Sequence, residues 1–214
     1  MKDLSFKKYL TEMPLPADWD KSKIGGKNSF KSQIAYAKEK AKKIGAGSSR
    51  VAFVIPYDGR NTVLKIAKNQ KGLAQNQHEA DMFNDYLLKG LNITIPMIDF
   101  DEESASPTWI HVEYATKAKD SDFKKLTGLN LGQLVTYCRY ISGNFPRLSM
   151  NVVSELEESV IECDLVTNLA DLIGSWGIPI GDIERLANWG IYQGRPVIID
   201  LGLSKDIWAQ FYSK

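Results

Sequence analysis

The chain changes character at Tyr114. Before it lie four short runs rich in β-branched and aromatic residues, arranged as two pairs. After it, apolar residues recur at helical spacing as far as Trp176. Hairpins interleaved with helices in the amino half, then a mostly helical carboxyl half, predict an α+β fold with an antiparallel amino-terminal sheet. The boundary falls near residues 115–118, giving an extension over 1–43, a sheet lobe over 44–116 and a helical lobe over 117–214.

The first strand pair is Val51–Pro56 and Thr62–Ala67, with Asp58-Gly59 as the turn signal. The second is Ile93–Phe100 and Thr108–Tyr114, joined by a polar loop. Ser29–Lys43 lacks Gly and Pro and reads as a helix, capped by Ser29 and ended by Gly45. Leu73–Leu88 reads as a second helix with a partly apolar face. Residues 1–27 are broken by Pro14, Pro16, Gly25 and Gly26, and read as a loosely packed extension with a short helix at Leu4–Leu10. Lys117–Lys125 reads as a charged connector. Asn130–Ser142 is helical in pattern, and Val152–Trp176 reads as one long buried helix. The chain then crosses a short hairpin, Gly190–Tyr192 and Pro196–Leu201, turning at Gln193-Gly194-Arg195.

A net charge of +1 gives no global attraction to nucleic acid or to an anionic membrane. Lys38, Lys40, Lys42 and Lys43 read as a solvated helix face. Cys138 and Cys163 sit in apolar-periodic segments, and His78 and His111 stand alone, so no Cys/His metal spacing exists. The cysteines read as buried thiols in a reducing compartment. The first thirty residues lack a signal-length apolar core, and no stretch approaches a membrane span. The expectation is a cytoplasmic protein, with no membrane and no nucleic-acid partner.

Four constellations can carry chemistry. Ile44-Gly45-Ala46-Gly47-Ser48-Ser49-Arg50 leads into a strand, and its glycines allow close approach of backbone amides to phosphate oxygens. A plain turn closing the preceding helix would place the same glycines, and Arg50 stands where a third glycine would be. Lys65, inside Val63-Leu64-Lys65-Ile66-Ala67, either blunts an edge strand or reaches phosphates. Glu79 follows fourteen residues later on a helix, where it can serve an ammonium group or simply face water. Asp182, Asn188 and Asp200 close the set. Singly they read as turn residues; together, Asn188 and Asp200 offer the hard oxygens that Mg²⁺ prefers.

Taken in order, these residues resemble the protein-kinase-like superfamily, which includes aminoglycoside phosphotransferases and protein kinases. The match covers roughly residues 44–204. The resemblance implies a two-lobed fold that binds ATP with Mg²⁺. It implies that Gly45, Gly47 and Ser48 cover the phosphates and that Lys65 binds them with Glu79 as its helix partner. Glu113 and Ala115 would lie in an adenine-binding hinge. Asp182 would be the catalytic-loop aspartate, with Asn188 and Asp200 as metal ligands. The texture of Leu64–Asn69, of Gly72–Asn76 and of Asn188-Trp189-Gly190 also resembles small kinase-like proteins of tailed bacteriophages.

This chain departs from the family pattern in several places. Ile180 replaces the usual histidine, Asp182 and Asn188 are six apart instead of five, and Glu184 stands where a cation or donor is usual. Twelve residues follow Gly202, so the fold is expected to be truncated after the Asp200-Leu201-Gly202 segment. The resemblance therefore implies a phosphotransferase acting on a protein or small-molecule hydroxyl. The alternatives are a pseudokinase, serving as a nucleotide-binding, interaction or virion-associated module, and an enzyme that transfers AMP. A protein partner is expected at residues 1–43 or at the shortened helical lobe.

Overall fold

A computed structural model describes residues 15–144, 146–176 and 178–213. The chain is α+β, with an antiparallel five-stranded sheet. The expected helix at Leu4–Leu10 lies outside the described residues. The rest divides into two compact units: one up to Asn76 together with Met97–Tyr114, the other Gln77–Pro96 together with Ala115 onward.

The first unit opens with α1 (Phe30–Lys40), where the Ser29 hydroxyl accepts the Ser32 amide as the expected cap. The helix stops earlier than its composition predicts. Ala41 is extended, and Lys42–Ala46 become β1, which pairs with β2 (Arg50–Tyr57) through a bulge between Lys43 and Gly45. Sheet pairing satisfies the main-chain groups that one more helical turn would have used. Gly45 is thus a strand residue, not a helix stop.

Asp58 and Gly59, both at positive φ, turn β2 into β3 (Arg60–Ala67). This is the geometry that two-residue hairpin turns require. The helix α2 (Gln70–Asn84) begins in this unit, and β4 (Met97–Phe100) and β5 (Trp109–Glu113) complete its sheet. The strand order is β1-β2-β3-β5-β4, so β3 is central. On one face of the sheet, Phe53, Ile55, Leu64, Ile66 and Trp109 pack against Leu15, Trp19, Ile24, Tyr36 and Ala37. The described part of the expected loose extension is therefore core. Each large side chain buried there contributes about 1.5–3 kcal/mol.

In the second unit α3 (Tyr86–Leu91) is separated from α2 at Asp85, whose carboxylate accepts the Leu87 and Leu88 amides. The single helix expected through Leu88 breaks at this cap. The expected strand Ile93–Phe100 is regular only from Met97. Before it, the Ile95 amide donates to the Ile198 carbonyl and the Ile198 amide to the Ile93 carbonyl. There follow β6 (Thr116–Lys117), α4 (Asp120–Thr127), α5 (Leu131–Ile141), α6 (Met150–Ser159), α7 (Asp164–Ser175) and α8 (Ile180–Ile183). The hairpin β7 (Trp189–Tyr192) and β8 (Arg195–Ile198) pairs with β6, and α9 (Lys205–Phe211) is the last described helix.

Two expectations here are corrected. The charged connector contains α4, because Phe123 is fully buried edge-on to Trp189 at 5.1 Å. The long helix is two helices. Val160 turns extended, the Ile161 amide donates to the Thr127 carbonyl at 2.8 Å, and α7 starts anew after Cys163. The core of this unit is built from α4, α5 and α7 around Trp189.

Candidate functional site

The glycine segment joins two antiparallel strands. Gly45 pairs with Ala52, and the Gly47 amide donates to the Arg50 carbonyl at 3.0 Å, closing the turn. Neither glycine has positive φ, and a Cβ built on Gly47 meets nothing within 4 Å. Nothing among the described residues calls for glycine at Gly47. Ser48 is exposed, and Ser49 donates its hydroxyl to the Gln75 side chain. The alternative of a turn that merely closes α1 does not hold, because β1 intervenes.

Lys65 lies on β3, between Ala52 of β2 and Ile110 of β5. Strand alternation sets it on the face opposite Leu64 and Ile66, away from the α1 side of the sheet. It is 8% exposed. An edge-strand lysine would face water on a strand with one free side; β3 has neighbours on both sides. The edge-strand explanation therefore fails.

Glu79 is on α2 and is 7% exposed, so it is not a solvated helix glutamate. Glu113 ends β5, where its carboxylate accepts from Arg60 Nε and Nη2, the latter at 2.7 Å. Arg60 also donates to Asp58 at 2.8 Å. The Glu113 side chain is thus committed to the β2–β3 hairpin. Ala115 lies two residues on, half-buried. A Cβ on Gly190 would sit 2.6 Å from the Ala115 Cβ, so glycine lets β7 pass close to that segment.

Asp182, Asn188 and Asp200 are brought together by short-range hydrogen bonds in the second unit. Asp182 lies in α8, and Asn188 ends a 3-10 turn over Leu186–Asn188. The Asn188 side-chain amide donates to the Asp182 carbonyl at 3.0 Å, and Trp189 Nε1 donates to the Ile183 carbonyl at 2.7 Å. The Ile199 amide donates to the Asn188 carbonyl at 2.8 Å, and Asp200 is the next residue, two past the end of β8. Asp200 is exposed and accepts the Gly202 amide at 3.3 Å. Burial pushes the Asp182 carboxyl up; Arg185 opposes this and the Asp200 charge adds to it.

The donor chemistry fits magnesium. With its Nδ2 on the Asp182 carbonyl, Asn188 has its side-chain oxygen left as an acceptor, and Asp200 supplies a carboxylate. Mg²⁺ binds through one or two such groups and completes its shell with water and phosphate oxygens. Among the described residues no group of three or more His, Cys, Asp or Glu could hold a metal alone.

Sequence reasoning missed Lys68, Asn69 and Gly72, which touch the glycine segment. An asparagine just before a helix is a cap signal that marks this turn. No helix among the described residues is long and apolar enough to cross a membrane. No protein-family model matches the chain, and no curated protein matches it.

Proposed function

We propose that the chain is a kinase-like phosphotransferase that uses ATP with Mg²⁺. The observation that carries this reading is Lys65, a lysine nearly excluded from water on the central strand of the sheet. Its place on the strand after the glycine segment is where the order of motifs puts the lysine that meets a nucleotide polyphosphate. Lys65 would hold the α- and β-phosphates, and Glu79 would be the helix acid of the motif order. The glycine segment would cover the phosphates, and the Glu113–Ala115 backbone would meet adenine. Asn188 and Asp200 would hold magnesium, which neutralises charge on the phosphoryl group when bound. Asp182 would orient the acceptor hydroxyl, and its raised proton affinity suits a group that accepts a proton.

A second reading has its own support. Glu184 is exposed two residues beyond Asp182, adding a negative charge where the transferred phosphate would sit. This favours a pseudokinase that binds nucleotide without turnover and serves as an interaction module. Incubation with labelled ATP, Mg²⁺ and a cell extract separates the two. The phosphotransferase labels an acceptor, the Asp200→Ala variant does not, and product mass distinguishes a phosphoryl from an adenylyl adduct. Labelling retained by Asp200→Ala refutes the metal assignment.

A further inference from the structure

The glycine segment is fastened by the turn that follows β3. Lys68 Nζ donates to the Gly47 carbonyl at 2.7 Å. The Asn69 side-chain amide donates to the Ser48 carbonyl at 3.1 Å. The Lys68 main-chain amide donates to the Ser49 carbonyl at 2.7 Å. Three successive carbonyls are thus turned toward one side of the loop.

Peptide geometry fixes what the other side presents. In a trans peptide the C=O and the following N–H point in opposite directions, and the described chain has no cis bond. The Ser48 and Ser49 amides therefore face away from Lys68 and Asn69. Among the described residues neither amide meets a protein acceptor. Successive unoccupied amides of this kind attract anions, whereas carbonyls on the same side would repel them.

The fastening continues into α2. Asn69 Oδ1 accepts the Gly72 amide at 3.1 Å, so one side chain caps the helix and holds the loop. The Ser49 carbonyl lies so close over Gly72 that a Cβ there would be 2.2 Å from it. Ser49 Oγ donates to Gln75 Oε1 at 2.5 Å.

We propose that Lys68 and Asn69 are positioning residues for the nucleotide polyphosphate. They act through the loop: they hold its carbonyls back and its amides forward, so less order is lost on binding. This rests on the nucleotide reading above. The test is the affinity of the full chain for Mg-ATP and for adenosine, in wild type and in Lys68→Met, Asn69→Ala and Lys68→Arg. Lys68 and Asn69 are exposed, so the variants keep the core intact. The expected result is Mg-ATP binding weakened about tenfold in Lys68→Met and Asn69→Ala, the scale of one charge-assisted hydrogen bond. Adenosine affinity stays unchanged, and Lys68→Arg stays near wild type. Wild-type Mg-ATP affinity in Lys68→Met and Asn69→Ala overturns the proposal and leaves nucleotide binding standing. Equal losses for ATP and adenosine overturn it as general damage. A wild-type chain that binds neither ligand removes the nucleotide reading and this proposal with it.

Discussion

The side-chain amide of Asn188 donates to the main-chain carbonyl of Asp182 at 3.0 Å. The residue proposed to hold the metal thereby also fixes the turn that carries the residue proposed to orient the acceptor. Asn188→Leu keeps the size and removes both functions. A net hydrogen bond contributes about 0.5–1.5 kcal/mol, so the melting temperature should fall by roughly 1–6 °C. Transfer from labelled ATP should fall by ~100-fold or more. A variant with wild-type turnover contradicts the assignment.

Asp182 links stability to pH in a definite direction. Its carboxyl is pushed up chiefly by burial, so it binds a proton more readily in the folded chain than in the unfolded one. This contribution is present in full below the ordinary carboxylate value and is lost as pH rises through the raised folded value. Asp182→Asn removes the buried charge. Its melting temperature should exceed that of wild type at neutral pH, and the gap should narrow as pH is lowered toward the carboxylate range. A gap that widens in acid would reverse the sign of the account.

Gly72→Ala sets two effects against each other. Alanine gains about 1 kcal/mol of helix propensity over glycine. The new Cβ, however, would lie 2.2 Å from the Ser49 carbonyl and 3.0 Å from the Ala67 Cα, both main-chain atoms. Overpacking of this kind costs about 1–3 kcal/mol, and here it meets rigid partners. Thermal unfolding should show net destabilisation. A more stable variant would mean that the loop does not rest on α2.

The two thiols should differ in reactivity. Burial pushes the Cys138 thiol up to about 12, and the charges of Glu162 and Cys163 add to this. Its Sγ also lies 3.5 Å from the Val166 carbonyl. Cys163 is only half-buried. An aromatic disulfide reagent should titrate Cys163 in the native protein and Cys138 only after denaturation. Rapid release of both would contradict the packing of α5 against α7.

Where the sequence reading succeeded, a local rule and the tertiary structure agreed. The Asp58-Gly59 turn, the Ser29 cap and the β7–β8 hairpin follow from residues whose conformational preferences leave few choices. It failed where long-range pairing overrode local pattern. Lys42 and Lys43 are good helix formers, yet they pair with Val54 and Phe53. Val160–Cys163 contains no glycine or proline, yet the chain leaves the helix there to bond Thr127. The candidate residues were legible as an ordered set of types. The burial of Lys65 and Glu79 was not, because it depends on which strand is central. The fastening of the glycine segment was not legible either. Its donors Lys68 and Asn69 lie some twenty residues from the carbonyls they hold.

The most direct test of the central claim is the melting temperature of the chain with Mg-ATP. At about 100-fold over the dissociation constant, a ligand specific for the folded state stabilises it by about 2.7 kcal/mol, a rise of roughly 5–10 °C for a domain of this size. The account predicts that rise in wild type and its loss in both Lys65→Met and Asp200→Ala. No rise at millimolar Mg-ATP, or a full rise in Lys65→Met, would contradict it.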